Sequence, residues 1–250
     1  MRLLVVGAGA MGRWFADAVA DGLPDDPDIA FADADSSAAA TAADRVQEAR
    51  TVALDTSDRF EVVCIAVPIP VATEAIAAHA GRATRAIVDV TGVATEPVAA
   101  MREHAPDRER LSLHPLFAPE NAPGNVAAVV DEAGPVTDDV RAALAAQGND
   151  VFETTADEHD TAMETVQAQA HAAVLSFGLA AADVPDAFQT PISEELFALV
   201  EQVTGGDPRV YADIQDAFEG ADDVAAAAEE LAAADSTRFE TLYRQVHEKL

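Results

Sequence analysis

Three observations predict an α/β chain, with a doubly wound parallel sheet followed by an all-α C-terminal domain. Short apolar runs alternate with helical stretches over the first 155 residues. The first of these runs leads straight into a Gly-x-Gly-x-x-Gly turn. From Asp157 onward the patterns are helical, with no convincing strand.

Leu3 to Val6 reads as a buried parallel strand, and the loop Gly7-Ala8-Gly9-Ala10-Met11-Gly12 follows it and opens a helix from Ala10 to Ala20. In such a loop Gly7 makes the tight turn. Gly9 lets backbone approach a pyrophosphate, and Gly12 lets helix and strand pack closely. The helix start then offers N–H groups and a positive dipole end to phosphate, so a dinucleotide site is predicted.

A Pro/Asp loop, Gly22 to Asp28, leads to a strand at Ile29–Ala32 that ends at Asp33. Asp33 stands 21 residues after Gly12, where this fold puts a carboxylate on the ribose 2′-hydroxyl, and Asp35 is its rival. A carboxylate repels a 2′-phosphate and no basic residue follows until Arg45, so NAD is the expected cofactor. Ser36 to Ala49 reads as a helix with Ser36 or Ser37 at its N-cap.

Glu61–Val67 is the next strand, closed by Pro68, and Val67 and Pro68 are expected to border the cofactor. Arg85–Val90 ends in Thr91-Gly92, and Arg110–Leu113 is followed at once by His114-Pro115. Weaker strands at Val126–Val130 and Asp150–Thr154 flank a helix at Val136–Gln147. The alternation defines a Rossmann-type domain, 1–155. Helices at 157–182, 191–203, 208–218, 222–234 and 236–249 form a second domain, 156–250, expected to complete the substrate cleft and pair with a second copy.

Acidic residues number 45 against 15 basic ones, for a net charge of −30, and Lys249 is the one lysine. Such a surface excludes nucleic acid and anionic membranes as partners. With half the residues hydrophobic, it reads as a folded protein adapted to high salt, and the scarcity of lysine resembles that of halophilic archaeal proteins. Cys64, the one cysteine, lies in an apolar run as core filler, which fits a reducing interior. No signal peptide, membrane-length apolar stretch or metal site is read, so a soluble cytoplasmic protein is expected.

Of six histidines, His79, His104 and His247 sit among polar residues and are expected at the surface. His114 follows a buried strand on the cofactor side, either as a proton acceptor beside a hydride acceptor or as a structural histidine. His159, Met163, Gln167 and His171 recur every four residues, and Gln167 and His171 fall close enough to meet one small ligand.

These motifs resemble those of prephenate dehydrogenases. His114–Pro119, HPLFAP, is similar to that family's HPMFGP. Glu158–Asp160, EHD, with Gln167–His171, QAQAH, resembles its EHD…QALxHF helix, and Thr190–Gln215 resembles its next helical stretch. The resemblance implies NAD-dependent oxidative decarboxylation of prephenate to 4-hydroxyphenylpyruvate, in a homodimer paired through the C-terminal helices. It implies that His114 takes the ring-hydroxyl proton, that Gln167 and His171 line the substrate side, and that Glu120 gates the pocket.

Two positions depart from the family. Its Asp-x-x-Ser-Val-Lys element reads Asp89-Val90-Thr91-Gly92-Val93-Ala94, which leaves Thr91 to supply a hydroxyl. Its carboxylate-clamping arginine aligns with Glu194, with Arg209, Arg238 and Arg244 as replacements. Arogenate, which carries an amine, is therefore the alternative substrate, and an NAD-binding sensor without catalysis the alternative function.

Overall fold

The computed structural model describes residues 1–23, 27–47 and 49–249, so part of the loop expected at Gly22–Asp28, and position 48 of the helix expected at Ser36–Ala49, lie outside the described residues. The chain divides into two compact units, Met1–Thr161 and Ala162–Leu250.

The first unit is built on an eight-stranded sheet. In chain order the strands are β1 (Arg2–Val6), β2 (Asp28–Ala32), β3 (Arg50–Thr51), β4 (Phe60–Ile65), β5 (Ala83–Asp89), β6 (Glu109–Pro115), β7 (Asn125–Glu132) and β8 (Asp150–Glu153). They lie in the order β3-β2-β1-β4-β5-β6-β7-β8. Every pairing is parallel except β6 with β7. The order reverses direction between β1 and β4, the switch point outside whose carboxyl ends such sheets bind ligands.

Burial follows the two-residue period of a strand. Leu3 and Val5 enter one core with Phe15, Val19, Phe31, Leu113 and Leu144, whereas Leu4 and Val6 enter a second with Ile65, Ile76, Ile87, Val98 and Met101. Helices α1 (Ala10–Gly22) and α2 (Ser36–Arg45) cover the first face together with α5 (Pro135–Ala146). The second face is covered by α3 (Ala72–His79) and α4 (Thr95–His104), which the sequence does not announce. Both are short, and their polar and alanine-rich faces give little 3.6-residue contrast.

Two local expectations are corrected. Asp35, and not Ser36 or Ser37, caps α2, its carboxylate accepting from the Ser37 backbone at 2.9 Å. His79 is buried, with its Nδ1 2.5 Å from Nη1 of Arg82. An arginine only donates, so this nitrogen is the acceptor and the ring is neutral. Burial, with the Arg82 charge, pushes its pKa down to about 4.

The second unit is helical. The single helix expected from Asp157 is α6 (Ala156–Met163), most of which belongs to the first unit, then a π-helical segment Glu164–Gln169, and α7 (Ala170–Ala180). Then come α8 (Pro191–Thr204), α9 (Pro208–Ala217), α10 (Gly220–Ala233) and α11 (Ser236–Lys249). Thr190 and Asp207 cap α8 and α9, each with proline in the first turn.

Among the described residues of this unit, Met163, Ala168, Ala172 and Ile214 are its buried hydrophobics. Leu179, Phe188, Ile192 and Tyr243 are each more than 70% exposed. No described helix is long and apolar enough to cross a membrane.

Candidate active site

The glycine loop sits at the switch point. Gly7 has φ +100°, and a Cβ there would lie 2.1 Å from the carbonyl oxygen of Ala66 and 3.2 Å from Cγ1 of Val67. The residues following β4 therefore abut the loop, with Pro68 opening a short 3-10 turn. Gly12 packs α1 down on the loop, where a Cβ would meet the Gly7 carbonyl oxygen at 2.1 Å. Gly9 and Ala10 are exposed, Met11 is half-buried, and α1 starts at Gly9 with no side-chain cap. Its first N–H groups are thus left for an anion.

Asp33 braces this loop. Its carboxylate accepts from the Ala8 backbone at 2.7 Å and from the Asp35 backbone at 2.8 Å. Beside it a pocket of about 290 Å³ is lined by Asp33, Ser36, Ala39, Thr51, Val52, Ala53 and Leu54, without a cation. Asp35 is engaged in capping α2, while Asp33 borders the pocket.

A polar cluster lies on the α3/α4 face, at the carboxyl ends of β5 and β6. His114, in β6, has Nδ1 2.9 Å from Nε2 of His159, with the rings edge to face. His159 in turn has Nδ1 2.8 Å from Oδ1 of Asp160. Asp160 accepts from the backbone N–H groups of Ala94 at 2.9 Å and Thr95 at 3.0 Å, so it caps α4 from 65 residues away. The other imidazole nitrogen of His114, Nε2, lies 3.8 Å from where a Cβ on Gly92 would stand.

Asp89 completes the cluster. It is fully buried, pairs in register with Ser112, and accepts from the Thr91 hydroxyl at 2.7 Å. Thr91 is itself buried, its hydroxyl also 3.0 Å from the Val93 carbonyl. Burial pushes the Asp89 carboxyl up to about 6, against the pull of Thr91, Ser112 and His159. Burial likewise pushes His114 down to about 3, with His159 adding to the shift and Asp160 opposing it. Asp160 sits at about 2, because His159, Thr95 and the Ala94 N–H outweigh its burial.

Glu120 borders a groove of about 570 Å³ beside α1, with Arg13, Trp14, Arg45 and Asn149. In the helical unit, Gln167 belongs to the π-helical segment and His171 lies in the first turn of α7. The His171 ring packs edge to face on Tyr211 at 4.8 Å, and burial lowers its pKa. Glu194 is exposed in the first turn of α8. Each proposed replacement for the missing arginine is ion-paired: Arg209 with Asp207 at 3.5 Å, Arg244 with Glu240 at 2.8 Å, and Arg238 with Glu230.

The reversing strand order, the glycine loop and a half-buried histidine at the carboxyl edge point to a dinucleotide-dependent dehydrogenase. Comparison with known proteins narrows the class. The nucleotide-binding domain profile of prephenate dehydrogenase matches residues 26–132. A 4-amino-4-deoxyprephenate dehydrogenase of Streptomyces pristinaespiralis is 35% identical over 234 residues, covering 88% of this chain and 78% of that protein. A probable arogenate/prephenate dehydrogenase of Methanocaldococcus jannaschii is 28% identical over 178 residues, 65% of this chain and 40% of its own length. The crystal structure of Aquifex aeolicus prephenate dehydrogenase, in complex with hydroxyphenyl propionate and NAD+, aligns with a TM-score of 0.75 at 16% identity, over 100% of this chain and 96% of that one, and so shares its fold. The chain belongs to the prephenate dehydrogenase family.

The pairing of His114 with His159 and Asp160 was not anticipated from sequence. Its signal was the EHD triplet, which could be read only as one motif among several until β6 and α6 were brought together.

Proposed function

We propose that this chain oxidises prephenate to 4-hydroxyphenylpyruvate, with loss of the ring carboxylate as CO2. The observation that carries the reading is His114, next to last in β6 inside an HPLFAP motif at the carboxyl edge of the sheet. NAD is the cofactor, and the residues fit it: an uncapped helix start for the pyrophosphate, and beside Asp33 a pocket with no cation for a 2′-phosphate.

NAD, when bound, supplies the hydride acceptor. His114, neutral at physiological pH, accepts the proton of the ring hydroxyl as the carbon bearing it gives up hydride. Departure of the ring carboxylate as CO2 leaves its electron pair in the ring, and the proton returns from His114 to the phenol oxygen. Thr91, Glu120, Gln167 and His171 are proposed substrate contacts, carried over from the family motifs. The loop Gly7–Gly12, Asp33, Val67 and Pro68 are the proposed cofactor contacts.

A second reading is favoured by the 35% identical relative, whose substrate bears a ring amine in place of the hydroxyl. A neutral His114 could take a proton from that amine as well. Arogenate, with its side-chain amine, is the third candidate, and Glu194 suits it. Reduction of NAD in molar KCl, with each compound in turn, separates them. Prephenate is expected to give the highest kcat/KM. Turnover confined to the ring amine would replace this reading with the second, and NAD binding without turnover of any compound would leave a sensor.

The acidic surface and the apolar helices prompt one further pair of expectations. Adaptation to high salt predicts that the melting temperature rises with KCl and falls steeply below about 0.5 M, where screening weakens. Most of the exposed large hydrophobic residues belong to the helical unit, among them Leu179, Phe188, Ile192 and Tyr243, which favours a homodimer through these helices. Melting and light scattering across a KCl series test both. A melting point indifferent to KCl overturns the first, and a monomer at every salt concentration overturns the second.

A further inference from the structure

The proton order along His114, His159 and Asp160 follows from the chemistry of its end. Asp160 receives two backbone N–H groups at the start of α4, each carboxylate oxygen taking one. Such a carboxylate is ionised and only accepts. The nitrogen of His159 facing it, Nδ1, must then be the donor. In a neutral imidazole the other nitrogen is an acceptor, so Nε2 of His159 receives a hydrogen bond. Its partner is Nδ1 of His114, which therefore carries the proton. The lone pair of His114 is left on Nε2, the nitrogen on the Gly92 side.

We infer that His159 and Asp160 are positioning residues that hold His114 in the Nδ1–H form, so that Nε2 is the basic nitrogen offered to the substrate. The inference rests on the reading of His114 as the base and gives that reading a source. The arrangement also supplies a counter-charge. When half-buried His114 takes a proton it becomes a cation partly removed from water, which desolvation disfavours. The Asp160 carboxylate, one imidazole away, offsets that charge. Its position is fixed by α4, whose N-terminal dipole favours the anion. Asp89, at the end of β5, is a further buried titratable group beside the pair. It bonds Thr91 and not the histidine pair, so it tunes the local field without ordering the protons.

The analogous arrangement in a serine-protease triad shows the size of such an effect. There, an aspartate-to-asparagine change keeps the geometry, selects the wrong tautomer, and lowers kcat about 10⁴-fold. In Asp160→Asn the side-chain amide must turn one N–H somewhere. Facing His159, it would reverse every donor and acceptor in the chain and place the His114 proton on Nε2.

Long-range proton–nitrogen NMR spectra of the cofactor-free protein read the tautomer without any substrate, with the His114 signals assigned by their loss in His114→Asn. The wild type is expected to show His114 protonated at Nδ1, and Asp160→Asn to show it at Nε2 with kcat lower by about 10²–10⁴-fold. His159→Gln retains an acceptor towards His114 and a donor towards Asp160. It is expected to keep the Nδ1–H form, most of the turnover and the wild-type pH profile, whereas His159→Leu loses all three. A wild-type His114 protonated at Nε2 would overturn the inference. So would a folded Asp160→Asn with the tautomer unchanged. If that variant does not fold, the two His159 variants decide, and identical pH profiles for them would overturn the inference. Absence of turnover on every candidate substrate would count against the proposed function, while the spectra would still report the relay.

Discussion

Replacing His114 with asparagine is expected to lower kcat with the true substrate by about 10²–10⁴-fold, the usual contribution of a positioned general base. Asparagine is polar and close in size, and it can still hydrogen-bond to His159, but it has no nitrogen that accepts a proton at neutral pH. The glycine loop and Asp33 are untouched, so NAD should bind as before.

A second signature separates this loss from unfolding. In the folded protein His114 is held neutral down to about pH 3, whereas in the unfolded chain it titrates near 6.5. Between those values the unfolded state binds the extra proton, so the histidine withdraws stability as pH falls through this window. The asparagine variant lacks that loss. Its melting point should fall less than that of the wild type between pH 7.5 and pH 5. Steady-state kinetics, NAD fluorescence titration and melting at the two pH values check the set. Undiminished turnover would remove His114 from the chemistry.

The parts of this molecule that were legible in the sequence are those set by neighbours in the chain. The run Leu3–Val6 into Gly7-Ala8-Gly9 announces its strand and turn because backbone geometry and apolar pattern are local. The position of Asp33 beside the loop was legible for the same reason, as the end of one strand at a known distance from it. The features that escaped were decided by contacts across long sequence separations. Nothing near His79 says that α3 will bury it beside Arg82. Nothing near Ala94 says that an aspartate 66 residues on will cap its helix.

The π-helical segment Glu164–Gln169 is a comparable case, because the regular spacing of four through Met163, Gln167 and His171 reads as plain α-helix. For the polar cluster, sequence identified His114 as a candidate but not the two side chains, His159 and Asp160, that it is bonded to in series. The family motif EHD marked them without giving a reason, and the reason is tertiary.

Alanine at Gly7 and at Gly9 should fail in opposite ways, and together they test what the loop is for. Gly7→Ala meets the fixed Ala66 backbone, with Cβ 2.1 Å from its carbonyl oxygen, at a φ of +100° that side-chain-bearing residues rarely adopt. Relief requires moving the β4 end or the turn itself. A loss of about 3 kcal/mol or more is expected, enough to lower the melting point sharply and take cofactor binding with it. Gly9→Ala meets nothing within 4 Å, at a backbone conformation open to any residue. Its folding stability should stay within about 0.5 kcal/mol of wild type.

If the exposed turn at Gly9 is where pyrophosphate approaches the start of α1, however, the new methyl stands in its way. NAD affinity should then fall at least about tenfold, equivalent to ~1.4 kcal/mol. Melting curves and NAD titrations on the two variants give the comparison. Unchanged NAD affinity in Gly9→Ala would mean that the cofactor's phosphates lie elsewhere, and that this glycine is only part of a turn. Lost affinity at unchanged stability has no packing explanation, because among the described residues no neighbour lies within 4 Å of that methyl.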